Sequence, residues 1–303
     1  DPKRPGKNEE REILNPLTIL LLVSFLGGVE DDSGQIEVSH RARSLQPGEV
    51  VLVTVRSQLP LTRMEGRAFE KTFLFYPTDQ DTLWQGLIGI DLATTVGRYP
   101  VELKGKTSDG SSVQQSYELQ VEHKEFPTRR LTVDEKFVNP PGEMMPRIRR
   151  ESKRVSQVFA ALNSEKIWED SFLSPVPGAP TSGFGKGSIL NGQPRSPHSG
   201  TDFDADEGTP VEAPNRGEVV LVSDLYYSGN TVILDHGQGL YSYFAHLSRF
   251  AVEEGQMVSP GDQIGLVGAT GRVTGAHLHW TVRLNGTRVD PLSLMEALSG
   301  AHP

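Results

Sequence analysis

Most of this chain reads as short apolar runs of strand length, the clearest of them alternating hydrophobic and polar positions with the two-residue period of half-buried strands. Between Gln35 and His123 lie GEVVLVTVRS (48–57), AFEKTFLFY (68–76), TLWQGLIGID (82–91), RYPVELKGK (98–106) and SVQQSYELQVEH (112–123), all rich in β-branched and aromatic residues. In the last run Tyr117, Leu119 and Val121 alternate with polar residues, and Thr107-Ser108-Asp109-Gly110 is a hairpin signal. Strands at this spacing, with no helical run between them, predict a small antiparallel sandwich of immunoglobulin-like size. From Leu173 to Leu294, Gly and Pro punctuate further brief runs: 217–224, 230–237, 241–247, 262–268 and 277–286. That pattern predicts a second all-β domain.

Two stretches depart from the alternation. After Asn139-Pro140-Pro141-Gly142, the residues Ile148, Val155, Val158, Phe159 and Leu162 recur at helical spacing. They predict a helix within a connector. Near the front, Ile13 to Val29 runs apolar for 17 residues, the lower edge of what spans a bilayer. Lys3, Arg4, Lys7 and Arg11 precede it and Glu30, Asp31 and Asp32 follow, which predicts export or an N-terminal anchor with its start in the cytoplasm. The plainer alternative is a buried element of the first domain. The expected fold is mainly β: a charged tail and anchor-like segment (1–33), an immunoglobulin-like β-sandwich (34–124), a helical connector (125–171) and a C-terminal all-β domain (172–303).

Composition narrows the chemistry. Thirty basic and 39 acidic residues leave a net charge of −9, which excludes a general nucleic-acid binder. The basic run Arg147, Arg149, Arg150, Lys153 and Arg154 reads first as a solvated helix face beside an acidic neighbour, and second as a contact to an anionic wall polymer or lipid. Cysteine is absent, so a metal would have to be held by His, Asp or Glu. His40 and His123 lack spaced partners and read as surface residues. Five of the eight histidines fall between Leu173 and Leu294, and His302 lies in the tail beyond. His277 and His279 in GAHLHW share one strand face, with Leu278 opposite. His198 and Asp202 in PHSGTD are joined through a Gly-containing turn, and His246 closes YSYFAH. Such a set suits three metal ligands with helpers that move protons or steady an oxyanion. The spacing alone does not choose between His277 and His279 as ligand.

HSGTD, YFAHL and GAHLHW, in that order, resemble the lysostaphin/LytM-type zinc peptidases of family M23. TSGFG (181–185), GTPVEAPNRGEVV (208–220) and EEGQMVSPGDQIGLVGATGRVTG (253–275) extend the likeness over about 172–294. The resemblance implies a LytM-type peptidase domain and one zinc ion per chain on His198, Asp202 and His279, with His246 and His277 as catalytic helpers. It also implies metal-activated hydrolysis of peptide cross-links in bacterial peptidoglycan, in the cell envelope outside the cytoplasm, with a regulatory protein partner as a further expectation. No tyrosine precedes His198 in LNGQPRSP, which disfavours pentaglycine cleavage. Arg195, three residues before His198, is a candidate for a substrate carboxylate; the plainer alternative is an exposed loop arginine. His236 reads as structural.

The rivals are weaker. A non-catalytic regulator of other wall hydrolases would lack zinc ligands, and all the positions are filled here. A lipoyl- or biotinyl-type carrier needs a hairpin lysine, but the last lysine is Lys186. Neither GxSxG nor HExxH occurs.

Overall fold

The computed structural model describes residues 36–300 apart from 162 and 170. The anchor-like segment 13–29, Leu162 and His302 lie outside the described residues. Among the described residues no helix is long and apolar enough to cross a membrane.

The chain is mainly β. Its first seven strands are β1 (Ile36–Arg41), β2 (Val50–Ser57), β3 (Leu61–Ala68), β4 (Lys71–Pro77), β5 (Leu83–Gly89), β6 (Gly97–Thr107) and β7 (Ser112–Val121). They pair antiparallel in the order β1-β2-β5-β4-β3-β6-β7. The corner is β4, whose Lys71 to Leu74 pair with β3 while Phe75 to Pro77 pair with β5. A strand that changes partner midway lets the path curl over its own core. Val51, Val53, Val55, Phe73, Leu103 and Leu119 fill that core. Where an immunoglobulin-like sandwich keeps two separate sheets, this path runs unbroken through β4.

Two readings of the first domain need correction. The run AFEKTFLFY is two strands, because Phe69 and Glu70 adopt φ of 50° and 62° and turn the chain between β3 and β4. Paired left-handed residues match the strand twist, so a tight hairpin hides in an apolar run. His40 is half-buried, stacked on Tyr117 at 5.8 Å, and burial lowers its pKa. It is therefore only partly exposed.

The connector holds β8 (Thr128–Leu131), two single 3-10 turns and α1 (Met145–Ala160). Beyond it come β9 (Pro180–Ser182), β10 (Gly187–Leu190), β11 (Gln193–Arg195), β12 (Thr201–Phe203), β13 (Pro210–Glu212) and β14 (Gly217–Leu225). Then follow β15 (Gly229–Gly237), β16 (Leu240–Leu247), β17 (Arg249–Phe250), β18 (Met257–Val258), β19 (Gln263–Leu266), β20 (Leu278–Leu284), β21 (Thr287–Val289) and α2 (Pro291–Leu298). The main sheet runs β18-β14-β15-β16-β20-β12-β9, with β21 beside β20; β13-β19-β17 and β11-β10-β8 form smaller sheets. In the last of these β8 lies parallel to β10, so the connector is built into the second domain. That domain is not all-β, because α2 closes it. Asp290 caps α2 by accepting from the Leu292 N–H, and Pro291 stands at the first helical position.

Helix α1 buries Val155, Val158 and Phe159 against Leu221, Ile233 and Tyr241. Its basic face meets acids: Arg147 pairs with Glu151 and Asp224, and Arg154 with Glu254. The two β domains share packing as well. Val50 and Leu52 of β2 join the second domain's core with Leu294, Ala297 and Leu298 of α2, while Val51 and Val53 face the first. A strand buried on both faces explains the uninterrupted VVLV run. Across this junction Arg43 bridges Glu49 at 2.9 Å and Asp290 at 2.7 Å. Gly89 permits the contact, since a Cβ there would lie 2.9 Å from Val289 Cγ1.

Candidate metal centre

Strand register assembles the cluster. Asp202 in β12 lies directly across from His279 in β20, and Ala245, one residue before His246, is His279's partner on the other side. Strand alternation turns Leu278 fully into the core and sends His277 and His279 to the cleft. His198 reaches the cluster through the turn at Gly200. A Cβ at that glycine would strike Trp280 O and lie 2.9 Å from His279 Cε1, so only glycine passes there.

His198 Nε2 stands 2.9 Å from Asp202 Oδ1 and 3.0 Å from His279 Nδ1, and that Nδ1 is 2.8 Å from the same Oδ1. The outer nitrogens are fixed in turn. His198 Nδ1 faces the Gly183 carbonyl at 3.1 Å, which only accepts, so this nitrogen carries a proton; His279 Nε2 meets Thr281 Oγ1 at 2.9 Å. When neutral, the two imidazoles aim lone pairs at the point the Asp202 oxygen also faces. Only a proton or a metal cation satisfies that convergence, and two imidazoles with one carboxylate are a donor set zinc accepts. The residues present therefore fit a metal ion, and their ligand atoms lie within 4.8 Å of one another. Burial pushes the Asp202 carboxyl up, but without a metal a proton shared with His198 and His279 outweighs it and holds the pKa far below the usual carboxylate range. Asp202 stays ionised throughout the working pH range.

Two further imidazoles stand beside this set. His246 donates from Nδ1 to Thr270 O at 2.9 Å, leaving Nε2 as an acceptor. Burial first, then the charges of His279 and His277, lower its pKa to about 3. Its φ of 66° puts a non-glycine residue in the left-handed region, an unusual conformation for the end of a strand. His277 donates from Nδ1 to Gly275 O at 2.9 Å and holds Nε2 3.7 Å from Asp202 Oδ1. The His246 ring centroid is 5.0 Å from that of His277 and 5.9 Å from that of His279. The cluster opens into a cleft of about 660 Å³.

Arg195 lines the cleft, with its guanidinium donating to Val138 O at 2.8 Å and Gln193 Oε1 at 2.7 Å. Sequence reasoning missed Arg129. It reaches in from β8 and places Nη1 3.2 Å from Asp202 Oδ2, the carboxylate oxygen turned away from the histidines. No spaced motif marks it; it is one of an adjacent Arg129-Arg130 pair in the connector.

His236 stands apart from the cleft, fully buried, donating from Nδ1 to Arg216 O at 2.7 Å with Nε2 2.9 Å from Ser242 Oγ. Burial lowers its pKa to about 4 from the ordinary 6.5. The unfolded chain thus binds this proton more readily than the folded one, and stability rises with pH between those values. Acidification from pH 7 to pH 4 is expected to remove up to about 3 kcal/mol through this residue. Urea unfolding at both pH values, on the native chain and on His236→Gln, checks this; an unchanged pH slope in the variant would exclude His236 as the cause.

Fold and cluster together define the class first: a β protein whose buried His–Asp–His set opens into a cleft. The chain belongs to Peptidase family M23, whose profile matches residues 196–291. It is 41% identical over 108 residues to the peptidoglycan DD-endopeptidase ShyA of Vibrio cholerae, covering 36% of this chain and 25% of that protein. It is 43% identical over 97 residues to the DD-carboxypeptidase/endopeptidase Mpg of Neisseria meningitidis, covering 32% and 22%. The aligned stretch spans about a quarter of these relatives' own length. A crystal structure from Pseudomonas aeruginosa, described as a candidate peptidase M23, superimposes with a TM-score of 0.64 at 31% identity, covering 84% of this chain and 96% of that one.

Proposed function

We propose that this chain is a zinc-dependent endopeptidase that hydrolyses D,D-peptide cross-links of bacterial peptidoglycan. The observation that carries the reading is the convergence of His198 Nε2, Asp202 Oδ1 and His279 Nδ1 beside two more imidazoles in one open cleft. The D,D-bond is argued from the names of ShyA and Mpg.

His198, Asp202 and His279 would hold the ion. When bound, zinc lowers the pKa of a water and polarises the scissile carbonyl. The protein's own groups do the rest. His246, anchored by Thr270, presents Nε2 as an acceptor for the proton of the attacking water. His277, on the more open side, lies beside the same point; the two share proton transfer and stabilisation of the oxyanion. Thr281 and Gly183 hold the ligating rings in orientation. A non-catalytic regulator is disfavoured because the ligand set is complete. The family's wall substrate and the apolar run at 13–29 support a place in the cell envelope outside the cytoplasm, with that run as an anchor. In this reading the first β domain holds the catalytic domain above the membrane or receives a regulatory protein.

The test is incubation of the zinc-loaded chain with sacculi of several cross-link chemistries, with and without chelator, followed by mass spectrometry. New D,D-cleaved ends that vanish with chelator are expected. Zinc bound stoichiometrically with no products from any sacculus would overturn autonomous catalysis, and failure to bind zinc would promote the regulator.

A further inference from the structure

Four arginines line the cleft: Arg283 of β20, and three from separate segments, Arg129 of β8, Arg195 of β11 and Arg272 of the loop between β19 and β20. Arg272 is placed by its backbone and by stacking. Its loop is pinned at both ends of the histidine cluster, by the bond from His246 Nδ1 to Thr270 O and by the bridge between Gly268 and His277. Between them the Arg272 N–H donates to Tyr227 O at 2.7 Å. Gly271, at φ 77°, presses against Gly229 where no side chain would fit. The guanidinium lies over the Tyr227 ring at 5.0 Å, and Tyr227 meets Tyr226 edge-on at 5.0 Å. Tyr226 is tied by its hydroxyl to Lys136 O. A guanidinium stacked on one face keeps its edge N–H groups for a planar, two-oxygen partner.

Among the described residues neither Arg195 nor Arg272 has a carboxylate at ion-pair distance, and Arg195 spends its donors on the Val138 carbonyl and on Gln193. The acids lining the cleft are Asp202, held by the histidines and Arg129, and the exposed Asp204. Arg272 feels the positive charges of Arg195 and Arg129, which add to burial in disfavouring its own charge. Like charges gathered in a partly desolvated cleft raise its energy, and a bound anion relieves that cost.

We propose that Arg272, flanked by Arg195 and Arg129, forms a carboxylate-binding subsite that seats an acidic group of the peptide stem beside the bond to be cut. This inference rests on the peptidoglycan reading and gives it a substrate class: a stem peptide carrying a free carboxylate, in preference to its amidated form.

Calorimetric titration of the full zinc-loaded chain with a stem tetrapeptide bearing free carboxylates, and with the same peptide amidated, tests it without turnover. The native chain is expected to bind the free form about 10- to 100-fold tighter, the range for hydrogen bonds to a charged partner. Arg272→Gln should bring the two peptides close together by weakening only the free form, with metal content unchanged. Arg272→Lys should recover part of the preference, because a point charge replaces the fork. On cross-linked dimers Arg272→Gln should raise KM for the free form far more than it lowers kcat. Equal binding of both peptides by the native chain, or equal weakening of both by Arg272→Gln, would overturn the subsite. The native comparison stands even where a variant folds poorly. Preferential binding with no hydrolysis of any dimer would sink the proposed activity and leave the subsite; hydrolysis without preference would do the reverse.

Discussion

Replacing His279 with alanine is expected to abolish metal binding and hydrolysis together. Its Nδ1 touches both other members of the set, at 3.0 Å from His198 Nε2 and 2.8 Å from Asp202 Oδ1. Without it, a carboxylate and one imidazole remain, and two donors do not hold zinc in competition with water and buffer. The substitution leaves β20 intact, because its neighbours Leu278 and Trp280 pack on the opposite face with no accessible surface. Metal per chain, measured after dialysis, should fall from one to a small fraction, and release of cross-link fragments should cease. The same assay on His277→Ala supplies the contrast. Were that variant to lose the ion while His279→Ala kept it, the ligand and helper assignments would exchange.

The second large effect separates chemistry from metal retention. His246→Ala should keep stoichiometric metal, since its ring bonds to Thr270 O and not to the ligand set. Turnover should fall by about 10²- to 10⁴-fold, the usual contribution of one positioned proton-transfer group. The position carries a φ of 66°, where a β-carbon is strained by about 1–2 kcal/mol. Alanine meets the same strain as histidine but loses the Thr270 bond, so thermal unfolding measured alongside separates local loosening from lost catalysis. Near-normal activity would remove His246 from the mechanism.

Local pattern carried much of this protein into view. The alternating run SVQQSYELQVEH became β7 and the periodic Ile148, Val155 and Phe159 became α1, because alternation and helical recurrence follow from covalent geometry alone. Misreadings arose where a local signal was present but mixed. Phe69 and Glu70 turn a hairpin inside an apolar run, and the polar LTRMEGRA of β3 concealed a strand that β4 and β6 stabilise. The Asp290-Pro291 start of α2 was legible as a capped helix, but the β texture before it masked the signal.

The sequence by itself determined that His277 and His279 would share a face, that His198 and Asp202 would be joined through a turn, and that any metal would be held without thiolates. Each follows from bonds and dihedrals a few residues long. Tertiary structure decided that Asp202 meets His279, 77 residues away, because the register of β12 on β20 places them opposite. It also decided that Arg129, 73 residues before Asp202, would grasp its outer oxygen, and that Val50 and Val51 would enter different cores. Contacts of that range depend on which segments pack together and in what register, and those choices come from summed burial over the whole molecule. Adjacent residues alone do not encode them.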